Sequence, residues 1–186
     1  MKKYIWITIF ILAALVGGAI FAVREIMYSQ YAGAEESVQT ALDTTVLQKV
    51  RDVKPYTGGM DGFFIAGIDE LEREVYVWTQ AGKVVAQTYA DKGLTEEKAI
   101  EAAKKPVWAQ QLVRKELAEQ KLKPMVEVLH ATPGPVVPKA KTEFQTAPSK
   151  FVWEFYGTFD NGEHGYTYLD FKSGEVLWQI ELPQSK

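Results

Sequence analysis

Residues Ile5 to Val23 read IWITIFILAALVGGAIFAV, nineteen positions without a charge. A helix of that length rises about 28 Å, close to the ~30 Å hydrocarbon thickness of a bilayer. A helix apolar on every side has no surface to turn toward water, so the run divides the chain into an anchor and a working part. Lys2 and Lys3 precede it, and Arg24 follows beside Glu25. The positive-inside bias makes residues 1–4 a cytoplasmic tail and residues 5–23 a transmembrane signal anchor. Everything after Arg24 is then expected outside, on a single-pass protein of the cell membrane. A cleaved signal peptide is the competing reading. Its apolar region is ordinarily about 7–15 residues, and the small-x-small site Ala32-Gly33-Ala34 lies beyond bulky Met27, Tyr28 and Tyr31.

With 186 residues in all, the extracytoplasmic part has room for two small domains. The whole chain carries a net charge of −3; without Lys2 and Lys3 the remainder has five more acids than bases. Such a surface offers nothing to nucleic acid or to an anionic polymer. The absence of cysteine excludes disulfides, zinc–thiolate sites, iron–sulfur clusters and thiol nucleophiles. It also fits an exterior without dedicated disulfide chemistry, as on many Gram-positive bacteria. His130 and His164 are the two imidazoles, too few for most multi-histidine metal sites.

After a linker over residues 24–34, Val38, Leu42, Val46, Val50 and Val53 recur at three or four, which predicts a helix from Glu35 to Lys54. Pro55 and Gly58-Gly59 end it. The period then changes to that of strands: Phe63–Ile68, Val75–Gln80 and Val84–Tyr89, the last two joined by a tight turn at Ala81-Gly82. Thr95 caps a second helix with Glu96 and Glu97 in its first turn. Pro106 interrupts that helix, and Val107–Leu122 resumes it. Met125–Leu129 reads as a strand, the proline-bearing stretch from Thr132 to Ser149 as a loop. Phe151–Phe159, Gly165–Phe171 and Glu175–Leu182 read as three closing strands.

The two strand groups resemble each other. Gly67 and Gly157, Tyr76 and Tyr166, and Trp78 and Tyr168 are each 90 residues apart; Gly82 and Gly174, and Val84 and Val176, are 92 apart. A strand with glycine, an acidic turn, an aromatic strand, a glycine turn and a Val-led strand occur twice in one order, which suggests a duplicated unit. Alternation puts Phe151, Trp153, Phe155 and Phe159 on one face, and sets Val176, Trp178, Ile180 and Leu182 against Leu177, Gln179 and Glu181. Strands with one apolar face covered by a helix make an α+β fold. The expected units are residues 35–92 and 93–186.

The endings VYVWTQAGKVVAQTY and GYTYLDFKSGEVLWQIEL carry a family likeness. The second resembles the end of a PepSY domain. With the anchor and the overall length, the chain is similar to the TseB-like cell-wall elongation regulators, the YpmB-type proteins of bacilli. The resemblance implies an N-terminal transmembrane helix followed by two tandem cystatin-like, PepSY-like units, each a helix packed on an antiparallel meander. It further implies a non-enzymatic, membrane-anchored regulator that binds a membrane-anchored class B penicillin-binding transpeptidase during elongation. No cofactor, small-molecule substrate or nucleic acid is expected. PepSY domains elsewhere restrain secreted peptidases, which is the alternative function. The long helix through Trp108 and the proline-rich loop depart from a plain PepSY unit.

The residues themselves point the same way. None of Ser29, Ser37, Ser149, Ser173 and Ser185 lies in G-x-S-x-G or begins S-x-x-K. From Asp160 a calcium loop would need carboxylates where Gly162 and Phe171 stand. The cluster Asp69, Glu70, Glu72 and Glu74 could concentrate cations but, like the turn Gly162-Glu163-His164-Gly165, reads as a solvated hairpin loop. Aromatic surplus is the remaining signal, and it nominates Tyr76, Trp78, Trp108 and Tyr156 as partner-binding residues. Tyr76 and Trp78 share a face while Val75 and Val77 share the other, so their strand must be covered twice, by its helix and by either the sister unit or a partner. Addition of a partner strand to a free sheet edge is a second route.

Overall fold

The computed structural model describes residues 15–21, 31–56, 60–105, 122–136 and 150–183. Two antiparallel sheets of four strands dominate it, ordered β1-β2-β3-β4 and β5-β6-β7-β8. The first comprises β1 (Lys49–Tyr56), β2 (Gly62–Ile68), β3 (Glu74–Gln80) and β4 (Lys83–Tyr89). The second comprises β5 (Met125–Pro135), β6 (Phe151–Phe159), β7 (His164–Asp170) and β8 (Val176–Glu181). Helix α1 (Ala34–Thr44) packs on the first sheet, and α2 (Glu96–Ala103) lies against the second. The architecture is α+β.

Within the apolar N-terminal run, residues 15–21 are helical. Among the described residues no helix is long and apolar enough to cross a membrane; residues 5–14 and 22–23 of the expected anchor lie outside them.

The helix expected to reach Lys54 stops at Thr44, and residues 49–56 form a strand instead. Local chemistry explains the difference. Thr44 and Thr45 turn their hydroxyls back to the carbonyls of Thr40 and Ala41, at 2.6 and 2.7 Å, and the Thr45 hydroxyl also accepts from the amide of Leu47 at 3.1 Å. Such back-bonding by β-branched residues competes with helix continuation. Leu47, 1 % exposed, then closes the core under α1. A valine spacing compatible with a helix served a strand with a bulge between Val50 and Asp52.

Strand β5 likewise runs on past the expected end at Leu129, through Pro133 and Pro135 of the expected loop. An edge strand tolerates proline because half of its backbone groups face away from the ladder. The segment 106–121, including the expected helix resumption and Trp108, lies outside the described residues, as does most of the proline-rich stretch at 137–149.

The sheets repeat each other in detail. Gly67 and Gly157 each sit where a Cβ would collide with a carbonyl of the neighbouring strand, Lys49 O and Glu127 O respectively. Both third-to-fourth strand turns use a left-handed glycine, Gly82 at φ 67° and Gly174 at φ 72°. Both last strands then carry one extra residue, Val85 against Trp78/Thr79 and Leu177 against Tyr168/Leu169.

The bulge corrects the expected face of the last strand. Val176 sits in the core opposite Leu169, but Trp178 and Ile180 lie opposite Tyr168 and Tyr166 on the other side of the sheet. One extra residue reverses the alternation beyond it. The core of the second half is built on Trp153, Phe155, Phe159, Leu169 and Phe171 with Ala99 and Ala103 of α2; that of the first joins Ala41 and Leu47 to Ile65, Val75 and Val77.

Candidate functional site

The aromatic residues singled out above have two different fates. Trp78 is wholly buried. Its indole stacks on Phe151 of the second sheet, centroids 5.2 Å apart, and Nε1 donates to the carbonyl of Pro133 at 3.0 Å. Tyr56, Met60, Phe64 and Ala66 complete this cluster, to which Tyr76 adds an edge-to-face contact with Phe64 at 5.2 Å. The outer face of the first sheet is therefore covered by the sister half, and Trp78 is not available to a partner. Tyr76 stays half-buried at the rim of the seam. Burial pushes its phenol up to about 12, helped by the charges of Glu74, Glu96 and Glu97.

The seam fits closely. A Cβ on Gly134 would stand 1.8 Å from the Tyr56 hydroxyl, and one on Gly93 would stand 2.2 Å from the Phe171 ring. The Leu94 amide donates to the Phe171 carbonyl at 2.8 Å, so the connection between the halves is stitched to the second sheet. Beside Tyr56, Glu154 is a charged residue only 7 % exposed. Burial raises its pKa, and a hydrogen bond with Tyr168 opposes the shift only in part. Burial and the Glu154 charge together push the Tyr56 phenol well above its ordinary range.

Tyr156 belongs to the other fate. On the outer face of the second sheet, His164, Tyr156, Tyr166, Tyr168 and Trp178 form a continuous row across three strands. The centroid spacings from Tyr156 onward are 5.1, 6.4 and 5.5 Å. Each ring of the row from Tyr156 to Trp178 is half-buried. Cross-strand aromatic pairs of this kind stiffen a sheet, and a row rich in tyrosine also suits protein contact. The ring of His130 on β5 holds the Thr132 hydroxyl at 2.7 Å, and partial desolvation of that ring together with nearby Lys54 lowers its pKa. Trp108 lies outside the described residues.

The sequence nominated Tyr76, Trp78 and Tyr156 but not Tyr56 and Phe151, which pack with Trp78, nor Glu154 and Trp178, which meet Tyr168. Glu154 was visible as a lone carboxylate inside FVWEFYGTF; Trp178 was placed on the wrong face by the unforeseen bulge. The acidic hairpin at Asp69 is no loose loop. Burial works against the Asp69 charge, yet hydrogen bonds from Arg73 and Leu71, with the Arg73 charge, outweigh it and lower its pKa. Its carboxylate takes the amides of Leu71 and Arg73 at 2.9 Å each, the Arg73 guanidinium at 2.7 Å and the Tyr89 hydroxyl at 3.2 Å. Among the described residues no three His, Asp or Glu side chains converge as a metal site would require.

Two meander sheets of identical order, packed through an aromatic seam, define the class. The structure is similar to that of the YpmB protein from Bacillus subtilis, with a TM-score of 0.56 and 19% identity, over 81% of this chain and 98% of that one. The chain has a YpmB-like fold. No protein-family model and no curated protein matches it.

Proposed function

We propose that this chain is a membrane-anchored, extracytoplasmic regulator of cell-wall elongation that binds a class B penicillin-binding transpeptidase and catalyses no reaction itself. The observation that carries the reading is the YpmB-like fold, which spans 98% of that protein. Two further features support it. The uncharged run from Ile5 to Val23 suits an anchor, and the half-buried row from Tyr156 to Trp178 offers tyrosines of the type that interfaces favour. In this reading each half is a PepSY-like, cystatin-like unit, and the second presents the tyrosine row to the partner.

Photo-crosslinking in intact membranes tests it, with a crosslinking amino acid at Tyr156 or Tyr166. Recovery of a penicillin-binding transpeptidase is the expected result. Recovery of a secreted peptidase and no wall synthase would replace the reading with a peptidase restraint.

A further inference from the structure

The four sheet edges are not equally protected. Natural edges are blunted with charge, proline and bulges, because unpaired backbone groups invite another strand. Strand β1 carries Lys49, Arg51, Asp52, Lys54 and Pro55 together with its bulge. Strand β5 has two bulges besides Pro133 and Pro135. Strand β8 has six residues and ends at Glu181, whose carboxylate meets the Lys123 ammonium at 2.7 Å.

Strand β4 lacks most of these devices. Its one charge, Lys83, sits at the turn, and its bulge falls early, at Val85. Beyond it Ala86, Gln87, Thr88 and Tyr89 run in unbroken register with β3, without charge or proline. Val85 is 47% exposed and Gln87 is exposed. Among the described residues no strand pairs with the far side of β4.

The flanks of this edge are acidic. On the helix side the Glu36 carboxylate packs against Gly82 at the head of the strand, where a Cβ would come within 2.6 Å of its Oε1. On the opposite face Tyr76, paired with Thr88, lies in the field of Glu74, Glu96 and Glu97. Of the cations at the tail, Arg73 is engaged by Asp69 at 2.7 Å, and Lys92, in the turn that follows β4, stands 3.9 Å from the Asp91 carboxylate. An antiparallel pairing of two copies through β4 would bring these like charges together, whereas a basic strand would neutralise them.

We infer that the free edge of β4 accepts an extended, lysine- or arginine-bearing segment of a partner protein as a fifth strand. Backbone pairing supplies the affinity, and the acidic flanks select the charge. The inference rests on the reading of this chain as a partner-binding protein and adds a second contact, remote from the tyrosine row.

The probe is a fluorescent peptide, Lys-Val-Lys-Thr-Lys-Val-Lys, with its Glu-for-Lys counterpart and a form methylated at alternate backbone nitrogens. The anchored full chain is held in detergent micelles, and anisotropy reads binding. The basic peptide is expected to bind at least about tenfold more tightly than the acidic one, with the difference shrinking at high salt. Backbone methylation on the pairing side is expected to abolish binding. Val85→Lys with Gln87→Lys blunts the edge and should weaken binding about tenfold, and Glu96→Gln with Glu97→Gln, both exposed, should weaken it less. Equal affinity for both charges, indifference to methylation, or a β4-to-β4 disulfide between two Val85→Cys chains would overturn the inference. The two readings separate in membranes. If the Val85→Lys, Gln87→Lys chain still crosslinks its synthase fully through Tyr156, the functional reading stands whatever the peptides show. If wild type recovers no synthase while the basic peptide still binds as described, the edge site stands and the named partner falls.

Discussion

The two sheets share strand order, glycine positions and bulge, yet their outer faces have opposite destinies. On the first, Phe64 and Trp78 disappear into the seam against Phe151. On the second, the equivalent pair is Glu154 and Tyr168, and the aromatic row continues outward through Tyr166 and Tyr156. Two sheets of the same order thus keep the inner face for a core and put the outer face to two uses, one structural and one left half-buried at the surface. The difference teaches that an aromatic strand is not by itself an interface; what covers it decides.

The comparison breaks most sharply at Trp78. Trp78→Ala removes the stack on Phe151 and the bond to Pro133 and is expected to cost about 3–5 kcal/mol in denaturant unfolding. Gly134→Ala, which forces a methyl into the Tyr56 hydroxyl, should cost about 1–3 kcal/mol by the same measurement. A loss under ~0.5 kcal/mol for either would mean that the seam is not closed in solution.

Glu154 sharpens the comparison through pH. The folded state holds its proton more tightly than the unfolded chain does. The carboxyl therefore subtracts stability at neutral pH, and ceases to do so as the pH falls through its raised folded value toward the ordinary carboxylate range. Glu154→Gln is expected to raise stability at neutral pH and to flatten that limb of the stability–pH curve. An unchanged curve would show that the seam leaves this carboxyl solvated. The smallest effect belongs to the second face. Tyr156→Ala should cost only about 0.5–1 kcal/mol, while its effect on crosslinking to a partner is expected to be large.

Much of this arrangement was legible in the sequence. Period-two alternation located six strands within one or two residues, because hairpins such as Ala81-Gly82 and Lys172-Ser173-Gly174 write their turns locally. Strand β1 was not legible: Val50 and Val53, three apart, fit a helix and share the core in a strand only through the bulge before Asp52, and the decision lay with threonine hydroxyls and the burial of Leu47. For Trp78 the sequence demanded a second cover without identifying it, since Phe151 and Pro133 lie far along the chain. Long-range choice of partner leaves no mark in local spacing.

The stack between Trp78 and Phe151 also makes the two halves thermodynamically dependent. Severed from its sister, the first sheet would expose Tyr56, Met60, Phe64 and Trp78 as one apolar patch, and the second would lose the cover over Phe151 and Glu154. Melting is therefore expected as one cooperative transition rather than two, and each half is the other's missing layer.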